Sequence, residues 1–228
     1  MNRLPSIVRQ HLAGLRLLLV FTVITGIIYP VAVWGIAQGA FNKQANGSLV
    51  SFTSHGRTRT IGSSLLCQEF VNAKGNPLPQ YFQPRPSFAI VDWELENVKG
   101  RYVVEGTGPN NYGCNPLYSS ASNLGNNNPA QIQFVKQRQQ EISKFDHVPI
   151  SKIPADAVTA SGSGLDPDIT PANAAIQVDR VAAARHISPA QVQALVKQYT
   201  GGRDLGFLGE PVVNVLLLNR ALDEKYPV

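Results

Sequence analysis

The segment LLLVFTVITGIIYPVAVWGIA, residues 17–37, decides how this chain of 228 residues is organised. No charged residue occurs in 17–42, and roughly 20 apolar residues suffice to cross the hydrocarbon core of a bilayer. A cleaved signal peptide has a shorter apolar core of roughly 7–15 residues, so the length favours a retained anchor. The sequence therefore predicts an N-terminal segment at 1–16, one transmembrane helix at 17–38 and a folded domain at 42–228.

Pro30 lies in the middle of the predicted span. A proline inside a helix lacks an N–H group, and its ring clashes with the carbonyl four residues earlier, so we expect a kink there. Kinks are tolerated in membranes where a neighbouring helix or water satisfies the freed carbonyl. The sequence leaves open whether a protein partner or a lone kinked anchor fulfils this condition.

Basic residues are distributed unevenly around the span. Arg3, Arg9 and Arg16 precede it, and only Lys43 follows closely. Because Lys and Arg are enriched on the cytoplasmic side of membrane proteins, we expect a cytoplasmic N-terminus and an extracytoplasmic domain.

The net charge of the chain arises from its membrane-proximal part. Residues 1–68 contain six Lys or Arg and no Asp or Glu, whereas the remainder contains 14 basic and all 15 acidic residues. The net charge of +5 therefore reflects the anchor region rather than a basic binding surface. No basic stripe with interleaved aromatic residues is found, so we expect a lipid bilayer and no nucleic acid as a partner.

Strand-like and helical patterns are segregated along the domain, which predicts an α+β fold: one transmembrane helix followed by a single mixed extracytoplasmic domain. Strand-like pieces lie at 49–53, 57–66 and 102–105. The polar, Gly/Pro-rich stretches 72–87 and 106–129 are predicted loops.

The second half of the domain is predicted to be more helical. Residues 131–145 predict an amphipathic helix with Ile132, Val135 and Ile142 on its apolar side. The apolar run 212–218 predicts a buried strand that is followed by a short helical turn.

Two dipeptides predict helix starts. Thr170-Pro171 and Ser188-Pro189 each combine an N-cap residue with a proline suited to the first turn. Asp166 and Asp168 precede the first of these starts, and we assign them to helix capping and to the helix dipole rather than to metal binding or catalysis.

The sequence offers no convincing catalytic or metal site. The four histidines are scattered, without the spacing of a zinc site. Neither a G-x-S-x-G elbow nor a phosphate-binding P-loop is present. Cys67 and Cys114 are the only cysteines, and outside the cytoplasm they form either a disulfide or two buried free thiols.

Several motifs together resemble one known family. They are YFQPRPS at 81–87, ASNLG at 121–125, IPADAVTASGSGLDPDITP at 153–171 and LGEPVVNVLLLN at 208–219. In these motifs and in its N-terminal span, the chain resembles the KdpC family, the C subunit of the bacterial Kdp potassium-transporting P-type ATPase.

The resemblance implies a non-catalytic accessory subunit in a bacterial inner or plasma membrane. Its partners would be a potassium-selective A subunit, an ATP-hydrolysing B subunit and a small F subunit. The family role is that of a catalytic chaperone that raises the affinity of the B subunit for ATP, so ATP enters only as an implied ligand. A membrane-tethered extracytoplasmic enzyme and a solute-binding module are the alternatives.

The family motifs supply candidate residues for docking on the partner subunits. These are Tyr81, Phe82, Arg85, Pro86, Ser122, Asn123, Leu124, Gly125, Thr159, Ser161, Gly162, Ser163, Gly164, Asp166 and Asn214. The block 157–171 is rich in small residues and is either an exposed docking loop or a tight turn packed inside the domain.

The chain departs from the family pattern in two places. The loop at 120–123 reads SASN and lacks the usual paired glycines. About two dozen extra residues, at about 90–116, separate the first two motifs. This insert contains Cys114, so a disulfide to Cys67 would connect it to the rest of the domain.

Overall fold

The computed structural model describes residues 5–54, 56–89, 91–107 and 114–228 of the chain. Its internal contacts divide the protein into two units, with the boundary between Ser48 and Leu49.

The first unit is an apolar helix followed by a short one. Helix α1 spans Ser6–Val23, a π-helical turn spans Ile24–Ile28, and helix α2 spans Tyr29–Ala40. Together they form a helix of 35 residues, Ser6–Ala40, that is long and apolar enough to cross a membrane and is not buried against the protein. Helix α3, Asn42–Ala45, follows.

A π-helical turn directly precedes Pro30. Because Pro30 has no N–H, the carbonyl of Gly26, four residues before it, lacks its usual helical donor. In the turn, the N–H of Tyr29 donates to the carbonyl of Ile24, five residues back. The helix thus continues through Pro30, with a π turn beside the position of the predicted kink.

The second unit contains three small antiparallel sheets in the part that the structure describes. Strand β1, Leu49–Ser54, pairs with β2, Arg57–Ser63. Strand β3, Val91–Val98, pairs with β4, Arg101–Thr107. In the three-stranded sheet, β7, Val212–Asn214, lies between β5, Asp168–Ile169, and β6, Thr200–Gly201.

Five helices accompany these sheets: α4 Pro129–Asp146, α5 Ala155–Val158, α6 Pro171–Ala184, α7 Pro189–Gln198 and α8 Val215–Lys225, with a 3₁₀ turn at Ile150–Lys152. Both predicted helix starts are confirmed. The side chain of Thr170 accepts from the N–H of Asn173, and Ser188 forms a capping box with Gln191. A mixed domain of helices and sheets, as predicted, is thus observed.

The main core lies between α6, α7, α8 and the three-stranded sheet. Its fully buried side chains include Ile169, Val181, Val192, Val213 and Leu218. Phe82, which belongs to no strand or helix, is also fully buried in this cluster. A smaller cluster joins Phe88 to Ala130 and Phe134 of α4.

The prediction that Ile132, Val135 and Ile142 form the apolar side of α4 was wrong. The helix buries Ala130, Phe134 and Arg138, spaced four residues apart, whereas Ile132 is exposed. Arg138 is accommodated because its guanidinium lies over the rings of Phe88 and Phe134, at 5.4 and 6.0 Å from their centroids.

The predicted strand at 212–218 was also wrong in its second half. The strand ends at Asn214, whose side chain accepts from the N–H of Leu217 and so begins α8 at Val215. The apolar residues that follow are therefore one buried face of a helix.

Candidate functional site

The motif at 81–87 crosses the interior of the domain as an extended segment that two side-chain amides hold in place. Asn219 accepts from the N–H of Phe82 at 2.9 Å and donates to its carbonyl at 2.9 Å. Gln177 accepts from the N–H of Gln83 at 2.8 Å and donates to its carbonyl at 3.2 Å. Each amide thus satisfies both backbone groups of one residue, as a neighbouring strand would.

Two buried arginines hold residues 79–81, where the chain enters the motif. Arg180 donates to the carbonyls of Pro79 and Tyr81, at 2.6 and 2.8 Å, and pairs with Asp146 at 2.6 Å. The guanidinium of Arg180 also lies 4.3 Å from the centroid of the Phe145 ring. It therefore connects α4, α6 and the extended segment.

Arg185 forms a similar set of contacts at the end of α6. It donates to the carbonyls of Gln80 and Tyr226, both at 2.7 Å, and pairs with Asp223 at 2.7 Å. Tyr81 stacks below Arg185, at 4.9 Å from its guanidinium carbon, and its hydroxyl donates to Asp223 at 3.1 Å. Tyr81 and Phe82 are therefore part of the internal framework of the domain.

Burial shifts three ionisations in this framework. Desolvation raises the pKa of Asp146 above its ordinary value, and this outweighs the attraction of Arg180. Desolvation likewise lowers the pKa of Arg180. The pKa of the Tyr81 hydroxyl is raised, first by burial and then by the nearby Asp223 carboxylate. The hydroxyl is therefore a hydrogen-bond donor rather than an acid at neutral pH.

The second half of the 81–87 motif is joined to the block 157–171. Arg85 pairs with Asp166 at 2.8 Å, and the carbonyl of Pro86 accepts from the N–H of Ser161 at 2.9 Å. The hydroxyl of Ser87 donates to the carbonyl of Gly164 at 2.7 Å. The structure thus brings these two family motifs together.

The predicted capping role of Asp166 and Asp168 was wrong. Asp166 binds Arg85 and accepts from the N–H of Asp168, while Asp168 accepts from the side chain of Asn214 at 3.1 Å. Burial raises the pKa of Asp168 above its ordinary value. Both carboxylates therefore connect loops and strands rather than the N-terminus of α6.

Asp156 performs the role that was assigned to those residues. Its carboxylate accepts from the N–H and the hydroxyl of Thr170, both at 2.9 Å, and from the amide of Asn173 at 3.0 Å. Asp156 precedes α6 by 15 residues, so only the fold brings it to the helix N-terminus. No local sequence signal identifies this contact.

The interior of the block 157–171 is a tight, hydrogen-bonded turn. The buried hydroxyl of Ser161 accepts from the N–H of Gly164 at 3.0 Å and lies 3.2 Å from the hydroxyl of Ser163. Thr159 donates to the carbonyl of Ala155 at 2.8 Å. Gly162, in contrast, is exposed, and a Cβ atom added to it would meet nothing within 4 Å.

The 121–125 motif is adjacent to this turn. Leu124 packs on the Phe88–Phe134 cluster, and the hydroxyl of Ser122 accepts from the N–H of Leu124 at 3.4 Å. Asn123 has a positive φ of 52°, and the carbonyl of Gly125 accepts from Asn128, the N-cap of α4. Asn214 lies apart from the 121–125 motif: its amide donates to the carbonyl of Ser64 at 2.9 Å and to Asp168 of the 157–171 block at 3.1 Å.

The described cysteines are joined in a disulfide, Cys67–Cys114, with Cα atoms 6.0 Å apart. The N–H of Cys67 donates to the carbonyl of Leu165 at 2.9 Å, and that of Cys114 donates to Glu69 at 3.1 Å. The disulfide therefore connects the predicted insert to the base of the 157–171 block. Part of the insert, 108–113, lies outside the described residues, and the hairpin of β3 and β4 occupies much of the rest.

A cleft of about 720 Å³ opens beside the extended segment. It is lined by three basic residues, Arg85, Arg138 and Arg180, and by three acidic ones, Glu69, Glu141 and Asp146. The basic and acidic groups among these six side chains are equal in number. Across the described ranges, no group of three or more His, Cys, Asp or Glu is arranged to hold a metal ion.

The chain matches a family model and curated proteins over nearly its whole length. The model described as "K+-transporting ATPase, c chain", KdpC, matches residues 11–224. A protein of Streptomyces avermitilis named potassium-transporting ATPase KdpC subunit is 42% identical over 234 residues, which cover 98% of this chain and 97% of the relative. Proteins of the same name from Mycobacterium bovis and Methylococcus capsulatus are each 44% identical, over 94% and 92% of this chain and 98% and 95% of the relatives.

Proposed function

Since this chain belongs to the KdpC family, the C chain of the K+-transporting ATPase, we propose that it is a single-span, non-catalytic accessory subunit with its folded domain outside the cytoplasm. The family match carries the proposal, because it covers residues 11–224 and so includes both the apolar helix and the domain. The alternatives, a tethered enzyme and a solute-binding module, are not favoured by these comparisons.

The proposed partners are the potassium-selective A subunit, the ATP-hydrolysing B subunit and the small F subunit of the assembly in a bacterial plasma membrane. The apolar helix Ser6–Ala40 supports a place in the bilayer. The contacts of the family motifs support a stabilising role. Tyr81, Phe82, Arg85 and Gly164 hold the domain together, which leaves Gly162 and Ser163 as the exposed candidates for docking in the 157–171 block.

The ATP role implied by the family is assigned to the assembly rather than to this domain. In the proposed orientation, the domain and cytoplasmic ATP lie on opposite sides of the membrane. We therefore propose that the domain acts by assembling the pump or by shaping its outer potassium entrance.

Reporter fusions at Val228 test the orientation. Alkaline phosphatase, which is active only outside the cytoplasm, is expected to be active there, and a fluorescent protein that requires the cytoplasm is expected to be dark. The converse pattern would contradict the extracytoplasmic placement, whose basis is Arg9 and Arg16 before the span and only Lys43 close behind it.

Co-purification tests the subunit assignment. An affinity tag at Val228 on the full chain, expressed at its native level and extracted in mild detergent, is expected to recover the ATP-hydrolysing subunit. The matched control is Ile27→Arg, because a charge near the bilayer centre costs about 2.5–3.5 kcal/mol on insertion scales and is expected to reduce that recovery. Recovery of the wild-type chain alone would contradict the assignment.

A further inference from the structure

The connection between β6 and β7 ends in an ordered turn, residues 203–210, which we call the apolar tip. Asp204 and Leu208 exchange two backbone hydrogen bonds, both of 2.9 Å, and the N–H of Gly206 donates to the carbonyl of Arg203 at 3.1 Å. The guanidinium of Arg203 closes the turn, donating to the carbonyl of Gly209 at 2.7 Å and to Glu210 at 2.6 Å. The tip is thus closed by its own hydrogen bonds and by one ion pair.

Three apolar side chains of the tip are directed away from the core. Leu205 is 82% exposed, Phe207 is 69% exposed and Leu208 is 49% exposed. None of them belongs to either hydrophobic cluster of the domain. Since the fold does not bury these side chains, their contribution to the stability of the domain is small.

The backbone at Leu205 strengthens this conclusion. Leu205 has a φ of 53°, in the left-handed region that disfavours residues with a Cβ atom. Glycine would adopt this conformation at lower cost. Neither folding nor turn geometry therefore requires a leucine at this position.

We infer that the apolar tip docks into an apolar pocket with a cationic rim on another subunit of the potassium-transporting ATPase. The inference rests on the proposed function, because it requires that the chain is part of that assembly. Because the tip is closed by its own hydrogen bonds, docking fixes few additional backbone dihedral angles. Little conformational entropy is then lost, and the free energy gained by burying Leu205 and Phe207 contributes to affinity. An aromatic or aliphatic side chain that fills a pocket can anchor the centre of such an interface.

The charges of the tip favour a protein partner over the bilayer surface. The tip contains one basic residue, Arg203, and two acidic residues, Asp204 and Glu210. Loops that bind anionic lipid surfaces combine apolar side chains with an excess of Lys or Arg, and the tip has the opposite sign. A net negative tip is complementary to a pocket with basic residues at its rim.

Paired substitutions in the full chain test the inference. The double variant Leu205→Ser with Phe207→Ser is expected to recover at least about tenfold less of the ATP-hydrolysing subunit in the tag experiment, since burying each side chain contributes about tenfold or more to affinity. The matched control is Leu65→Ser with Leu117→Ser, at side chains that are 58% and 93% exposed outside the tip, and it is expected to behave like the wild type. Equal recovery by the tip variant and the wild type would overturn the inference.

A photo-crosslinking measurement identifies the occupant independently of folding effects. With p-benzoylphenylalanine in place of Phe207, irradiated membranes are expected to yield an adduct between this chain and another ATPase subunit. Adducts only with lipid, or only with a second copy of this chain, would overturn the inference while leaving the subunit assignment intact. If the unsubstituted chain recovers no ATPase subunit at all, the proposed function fails, and the docking inference fails with it.

Discussion

Gly164 distinguishes between the two roles predicted for the block 157–171, an exposed docking loop and a tight turn packed inside the domain. Its φ is +73°, and a Cβ atom added to it would lie 2.5 Å from the carbonyl oxygen of Ser120 and 3.1 Å from Ala89 and Ser87. At this position the glycine is required by both the backbone conformation and the close approach of another chain segment. For Gly164, the interpretation as a packed turn therefore applies.

Gly164→Ala is expected to destabilise the domain by roughly 2–4 kcal/mol, because it combines an unfavourable φ with overpacking. Urea denaturation of the full chain in detergent, followed by tryptophan fluorescence, measures the change. Gly162→Ala is the matched control, since open space surrounds that position, and it is expected to change the free energy of unfolding by less than about 0.5 kcal/mol. Similar values for the two variants would contradict the packing of Gly164.

Asp146 gives the stability a specific pH dependence. Burial raises its pKa above the ordinary value of 3.8, so the folded state binds this proton more tightly than the unfolded state. The protonated Asp146 side chain therefore contributes to the free energy of unfolding below pH 3.8, and this contribution is lost as the pH rises through the raised pKa. Asp146→Asn removes this titration.

The free energy of unfolding of the wild type relative to Asp146→Asn is therefore expected to fall as the pH rises from about 3.8 toward neutrality. Other carboxylates titrate in both proteins and cancel in the difference. A difference that grows with pH would show that the attraction of Arg180 outweighs burial.

Side-chain amides hold segments of the domain together, because they form hydrogen bonds with backbone N–H and carbonyl groups as a neighbouring strand would. Gln177 and Asn219 bind the backbone of Gln83 and Phe82, and Gln133 of α4 binds both backbone groups of Tyr102, at 3.0 and 2.8 Å. These contacts join segments that are far apart in the chain, so periodicity and composition contain no signal for them.

Gln177→Leu is expected to cost roughly 1–3 kcal/mol of unfolding free energy, because it leaves the partly buried N–H and carbonyl of Gln83 without these partners. Gln193→Leu, on the exposed face of α7, is the control and is expected to change stability by less than about 0.5 kcal/mol. Chemical denaturation of both variants provides the comparison. A small effect of Gln177→Leu would contradict the strand-like role of this amide.

Element starts were predictable where their signals are local. Thr170 and Ser188 cap the helices that follow them within a few residues, so the sequence alone identified α6 and α7. In the run 212–218, the apolar residues are compatible with a strand or with a buried helix. Asn214 is the N-cap of the helix, and the prediction of a strand did not take this residue into account. Buried Arg138 was missed for another reason, since its burial depends in part on the ring of Phe88, which comes from a distant segment.

The disulfide is expected to stabilise the region around the predicted insert. Cys67 and Cys114 are separated by 47 residues, and a loop of this length corresponds to about 4 kcal/mol in the chain-entropy model. Replacing both cysteines with serine is expected to lower the free energy of unfolding by up to this amount. Intact-mass measurement after alkylation without reductant is expected to show no labelled thiol, and two labels would contradict the bridge.

For the molecule as a whole, the sequence showed more about assembly than about mechanism. The apolar segment, the strand-like and helical patterns and the family motifs were sufficient to predict a helix apolar enough to cross a membrane, the mixed domain and the family. They were not sufficient to distinguish residues that stabilise the domain, such as Tyr81, from exposed docking candidates, such as Gly162, because both lie in family motifs. That separation depends on burial, which exists only in the folded chain.

The most direct measurement is growth at limiting potassium, in the organism that encodes the chain, after deletion of its gene. If the chain is an accessory subunit of the potassium-transporting ATPase, the deletion strain is expected to grow only at high potassium. The full chain supplied in trans is expected to restore growth at low potassium, and Ile27→Arg is expected not to restore it. Normal growth of the deletion strain at limiting potassium, with the ATPase as its only high-affinity uptake route, would contradict the account.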